Sequence, residues 1–196
     1  DVSLGGQGAR NMPVFPKASM RWSTEWMAVS PPYDAGQISS NLPPDPRKDW
    51  PLLFVSHPAE KGYKSVESFT EDGITRTWKA VPVVPSEGSA FVDMGSLSKL
   101  PIKVFTYAST YVYSPTALTV YVQFRVDDHG QLFVNGTPAM QGQIFRTRSD
   151  AVFVALPLNQ GWNNVCVKSI NDAGGWTFRC LFADPGKEIR FARTPE

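Results

Sequence analysis

Between residues 118 and 126 the chain alternates with a period of two. Leu118, Val120, Val122, Phe124 and Val126 are apolar, and Thr119, Tyr121, Gln123 and Arg125 separate them. Successive side chains of a strand point to opposite faces, so this pattern predicts a β-strand with one face on a core. Ile74, Arg76 and Trp78, interleaved with Thr75, Thr77 and Lys79, repeat the pattern directly after an Asp72-Gly73 turn. Further short β-rich runs are "WMAVS" before Pro31-Pro32, "SAFVDMGSL" (89 to 97), "IKVFTYASTYVY" before Ser114-Pro115, "AVFVALPL" (151 to 158), "WNNVCVKSI" (162 to 170) and "WTFRCLFA" (176 to 183). Clean helical periodicity is scarce.

Seventeen prolines and fifteen glycines punctuate these runs throughout. Short strands at such spacing, with no helical pattern between them, predict an all-β chain folded as a β-sandwich or jelly roll. Residues 1–17 read as an irregular N-terminal arm, 18–190 as one sandwich domain and 191–196 as a tail. "ISSNLPPDPRKDWPLL" (38 to 53), rich in proline and charge, reads as a long surface loop. "GGQGAR" near the start resembles a fragment of a phosphate-cradling loop. No strand precedes it and no apolar helix follows, so a nucleotide site is not expected there.

Composition narrows the function. At 196 residues with 42% hydrophobic content the chain is long enough to bury a core. Nineteen Lys plus Arg stand against eighteen Asp plus Glu, a net charge of +1, and so no global field gathers nucleic acid. No apolar run approaches the roughly 20 residues of a membrane helix. The first residues show no leader-peptide pattern.

The stretch "RVDDHGQLFVNG" (125 to 136) asks the sharpest question. Asn135-Gly136 is a strong two-residue hairpin signal, because both residues tolerate positive φ. Asp127 to Gly130 reads as a second turn, whose aspartates accept hydrogen bonds from nearby backbone amides. Neighbouring carboxylates on one turn are a poor match to the opposed pair that cuts glycosidic bonds. His57 and His129 have no metal-ligand spacing around them, and no nucleophile motif is present, so an enzyme is not expected.

The two cysteines suggest a bridge. If "NVCVKSI" and "WTFRC" form a hairpin centred on Ala173, Cys166 faces Cys180, which permits a disulfide and implies an oxidising compartment. Two buried thiols side by side in the sheet are the alternative.

The second half resembles a known group. "VFTYASTYVYSP", "VYVQFRVDDHGQLFVNG" and "LNQGWNNVCVKSINDAGGWTFRCLFADPGK", in that order, resemble an accessory β-sandwich module of bacterial carbohydrate-active enzymes. "WMAVSPPYD" and "TWKAVPVVPSEGSAFVDMGSL" extend the resemblance over roughly residues 20 to 186. The group belongs with galactose-binding-like jelly rolls and is similar to the protective-antigen type of sugar-binding domain. The resemblance implies a non-catalytic carbohydrate-binding or accessory module of an extracytoplasmic (periplasmic or secreted) bacterial protein. Alternatively it implies a structural subunit that uses the same sandwich to dock into a larger assembly, which need not exclude a membrane-associated one.

In some members of that group two consecutive aspartates hold Ca²⁺, which makes Asp127 and Asp128 candidate calcium ligands. His129 departs from the glycine expected after them. Sugar rings stack their C–H faces on aromatic side chains, so Trp26, Trp50, Trp78 and Tyr113 are the candidate ligand contacts, with core packing as their alternative role. Trp162 and Trp176 match the structural pattern of the group.

Overall fold

The alternating stretch lies, in the computed structural model of the protein, on a strand whose Val120, Val122, Phe124 and Val126 are buried while Thr119 and Arg125 are exposed. The structure describes residues 15–63, 68–86, 89–98, 102–147 and 151–195. The "GGQGAR" segment and most of the expected arm lie outside them.

The first half of the chain contributes β1 (Met20–Arg21), β2 (Met27–Ser30), β3 (Tyr33–Asp34), β4 (Ser68–Glu71), β5 (Ile74–Ala80), β6 (Val83–Ser86) and β7 (Ser89–Asp93). The second half contributes β8 (Val104–Ser114), β9 (Leu118–Asp127), β10 (His129–Val134), β11 (Thr137–Pro138) and β12 (Phe145–Arg146). It closes with β13 (Val152–Leu158), β14 (Gly161–Asn171), β15 (Thr177–Ala183) and β16 (Arg190–Ala192). Among the described residues there is one short α-helix, α1 (Pro46–Asp49), capped by the Asp45 carboxylate on the Lys48 amide.

The strands form two antiparallel sheets, and the fold is an all-β sandwich. The smaller has the order β13-β9-β15-β7-β6 with β1 beside β15. The larger runs β11-β10-β14-β8-β2-β5-β4, with β12 on β10 and both β3 and β16 on β8. Residues 190–192, where the tail was expected to begin, are therefore tied to β8. Asp72-Gly73 and Asn135-Gly136 close the β4–β5 and β10–β11 hairpins as their sequence predicts, all four residues having φ between 51° and 79°.

Between the sheets lies the main core. Trp26, Val112, Val120, Val122, Phe124, Val165, Val167, Trp176, Phe178 and Phe182 all pack there. A second core lies on the other face of the larger sheet, where Val29, Trp78, Phe105, Tyr107, Phe133, Cys166 and Ile170 meet Ile38, Trp50, Leu53, Ala59 and Tyr63. Those last five residues come from the segment between β3 and β4. The proline-rich stretch expected to be a surface loop is thus a cover: its prolines start α1 and two 3-10 turns, which turn apolar side chains inward and charges outward. The centre of the larger sheet is consequently buried on both faces.

Candidate functional site

Asp127 ends β9 and His129 begins β10, and these strands belong to different sheets. The "DDHG" stretch is therefore a crossing between sheets rather than the hairpin turn its composition suggests. Asp128 is the single residue between the strands and is 3% exposed. Its Oδ2 accepts from the amides of Asp172 at 2.9 Å and Ala173 at 3.2 Å, and its own amide donates to the Ile170 carbonyl at 3.2 Å. A carboxylate that holds backbone amides from a distant loop ties the two crossings together.

A calcium ion takes about six to eight oxygens, and Asp128 commits one of its two to these amides. No group of three or more His, Cys, Asp or Glu side chains that could hold a metal ion forms among the described residues. His129 is turned the other way, under the cover: its Nε2 donates to the Ser39 carbonyl at 2.9 Å and its ring lies 5.2 Å from that of Trp50. Burial pushes the imidazole below its ordinary pKa, which favours the neutral form.

The expected cysteine bridge is not formed. Cys166 lies on β14 opposite Phe133 and Ser109 in the larger sheet, while Cys180 lies on β15 opposite Phe124 in the smaller. The residues after Asn171 carry the chain across the sandwich, so the register of one hairpin never arises. Cys166 points into the covered core and Cys180 into the core between the sheets, and both thiols are free and buried.

Three of the four aromatic candidates are also packing residues. Trp26, Trp50 and Trp78 are 2%, 5% and 6% exposed. Trp26 meets Phe178 edge-on at 4.9 Å in the main core, and Trp78 lies 5.9 Å from Tyr63 in the second. Trp50, whose charged and proline-rich neighbours suggested exposure, is one of the inward-facing residues of the cover.

The cover is held by polar contacts that the sequence did not signal. Lys168, on β14 and 1% exposed, donates from Nζ to the Leu53 carbonyl at 2.5 Å and lies 3.8 Å from Glu60 Oε1. Its ammonium also sits 4.8 Å above the Phe105 ring and 5.2 Å above that of Tyr107. The Tyr107 hydroxyl donates to Glu60, and Ser56 donates to the same carboxylate. Nearby, Glu71 accepts from Tyr33 and meets His57 Nδ1 at 3.0 Å.

Where the cover ends, the outer face of the larger sheet opens. Trp162 and Asn164 on β14 lie opposite Tyr113 and Tyr111 on β8. Together with Lys61, Asn135 and Gly136, the residues Tyr111, Trp162 and Asn164 line a depression of about 340 Å³. Asn135, on the β10–β11 turn, is fixed from both ends: its Nδ2 donates to Asn163 Oδ1 and its Oδ1 accepts from the Asn164 amide, each at 2.9 Å. Asn164 Nδ2 donates to Ser109 Oγ at 2.5 Å. Gly62, at φ +78°, packs so closely on the Asn164 amide that a Cβ would stand 2.1 Å from it.

Tyr113, the fourth aromatic candidate, lies on β8 opposite Trp162. Its ring meets that of Trp162 edge-on at 5.4 Å, and the Arg190 guanidinium lies 4.0 Å above it. The Asn135 and Asn164 amides, the Trp162 indole and the Lys61 ammonium thus line one concavity, the surroundings that a polar ligand with apolar faces would use. The sequence signal was the coincidence of "NG" with "WNN", which strand pairing brings side by side.

No family model matches the chain, and no curated protein matches it. Among solved structures, part of the chain is similar to a family 35 carbohydrate-binding module from an environmental isolate. The two are 21% identical over 47% of this chain and 72% of that module, with a TM-score of 0.35.

Proposed function

We propose that this protein is a non-catalytic carbohydrate-binding module, working outside the cytoplasm, and that it grips sugar at the end of the cover. The observation that supports this reading is the placement of Trp162 beside the amides of Asn135 and Asn164 and the ammonium of Lys61 around one depression. The indole supplies a face for sugar C–H groups. The amides and the ammonium supply donors and acceptors for hydroxyls. Because strand pairing and the Asn135–Asn163 bond hold these groups before binding, little ordering entropy is lost when a ligand arrives. The lining contains no pair of carboxylates of the kind glycoside cleavage uses.

A glycan array, run in Ca²⁺ and again in EDTA, tests the reading. Selective binding that Trp162→Ala abolishes in a folded protein is the expected result, with the same glycans retained in EDTA. Binding lost in EDTA would return Asp127 and Asp128 to the role of calcium ligands. Silence of the wild type in both conditions would overturn the sugar reading in favour of a sandwich that docks on protein.

A further inference from the structure

The outer face of the smaller sheet carries two arginines directly opposite one another, Arg125 on β9 and Arg179 on β15. The pairing of β15 with β7 sets Phe91 on the other side of Arg179, so Phe91, Arg179 and Arg125 form one row across three strands. The adjacent row places Thr177 opposite both Asp93 and Asp127. Phe91, Arg125, Asp127, Thr177 and Arg179 line a hollow of about 570 Å³, within the usual size range of small-ligand sites.

Among the described residues Arg179, half-buried in the hollow, makes no ion pair, and its Nε is buried without a hydrogen-bond partner. Burial and then the neighbouring Arg125 push its pKa down. A guanidinium presents its donors as a planar fork matched to the paired oxygens of an oxyanion.

We infer that Arg179 and Arg125 form a binding site for an oxyanion group, with Phe91 as an apolar wall and Thr177 and Asp127 as polar contacts for the rest of the ligand. A carboxylate, a sulfate and a phosphate share the chemistry the site would read. The site lies on the opposite sheet from the depression at Trp162 and stands or falls independently of the sugar reading.

The test is calorimetric titration of the whole chain at fixed ionic strength with sodium sulfate, inorganic phosphate and trigalacturonate, with maltotriose as the uncharged control. At least one anion is expected to saturate a single site, and the tightest of the three identifies the oxyanion read. Arg179→Gln and Arg125→Gln should each weaken that binding at least tenfold. Arg179→Lys, which keeps the charge and loses the fork, should weaken it several-fold. Lys79→Gln, which removes an exposed charge from β5 on the other sheet, should bind as the wild type does. Arg179→Gln should also melt no lower than the wild type in the absence of anion, since it removes a buried nitrogen that has no hydrogen-bond partner. Absence of saturable binding by all three anions, unchanged affinity in Arg179→Gln, or equal loss in Lys79→Gln would each overturn the inference.

Discussion

Lys168 crosses from the centre of β14 to the carbonyl of Leu53, a contact of 2.5 Å between the most enclosed sheet of the protein and the segment laid over it. Burial pushes the ammonium down to about 8, with Glu60 acting in the opposite direction. A base with a lowered folded-state pKa penalises the fold while it is charged. Below pH 8 the proton is bound in both states and the penalty is constant. Between about 8 and the unfolded value of 10.5 the unfolded chain holds a proton that the folded one has released, so stability rises with pH. Denaturant titrations of wild type and Lys168→Met should therefore show the wild type gaining about 1 kcal/mol relative to the variant between pH 7.5 and 9. Thiol and phenol ionisation in the unfolded chain is common to both proteins and cancels in the comparison. A pH-independent difference would sink the argument.

Free-thiol titration separates the two cysteines from a bridge. In denaturant and without reductant, two reactive thiols per chain are expected, because Cys166 and Cys180 face different cores. In the native protein both should react slowly, since burial raises each thiol's pKa and keeps it protonated. Zero thiols in denaturant would show a disulfide.

Asp128 should matter to stability rather than to metal. Replacing it with Ala leaves the amides of Asp172 and Ala173 without their acceptor in a buried place, at a cost of about 2–3 kcal/mol. Asp128→Asn retains one acceptor oxygen and should lose less. Melting curves of wild type and variants are expected to coincide in Ca²⁺ and in EDTA. A Ca²⁺-dependent rise in the wild-type melting temperature that disappears in Asp128→Ala would establish a calcium site.

Trp50 provides the complementary test of the cover. Trp50→Ala removes a large buried side chain and should cost about 3–5 kcal/mol, with Trp50→Phe costing less. Chemical denaturation reads the loss, and glycan binding by the protein that remains folded should be unchanged. Selective loss of binding with intact stability would make Trp50 a ligand contact after all.

The fold class was legible wherever strands keep one face on the core, as in β9, or are closed by a turn of fixed geometry, as at Asn135-Gly136. It was less legible where a strand is buried on both sides. From Asn163 through Asn171 every residue of β14 is buried, so its run carries no alternation and the inward direction cannot be read from it. The same loss of pattern hid the change of sheet after Asn171, and with it the separation of Cys166 from Cys180. Asp127 and Asp128 look like turn residues because turns and sheet crossings draw on the same backbone chemistry.

At the candidate site the residue types were visible and their grouping was not. Trp162 had been assigned to packing, and Asn164 carries no signal until its strand is set beside Tyr111. Arg125 was readable as outward-facing from the alternation of β9. Its pairing with Arg179 required the strand order.

The two faces of the larger sheet have a kinetic consequence. Its central strands, β8 and β14, hydrogen-bond to neighbours on both edges, carry packed side chains above and below, and exchange few of their groups with water in any partial opening. A frayed cover exposes one side of them and a loosened smaller sheet exposes the other, but neither event alone frees the backbone. Their amide hydrogens should be the last in the protein to exchange with deuterium, at a rate set by global unfolding, while those of β13 and of the α1 segment exchange through local excursions.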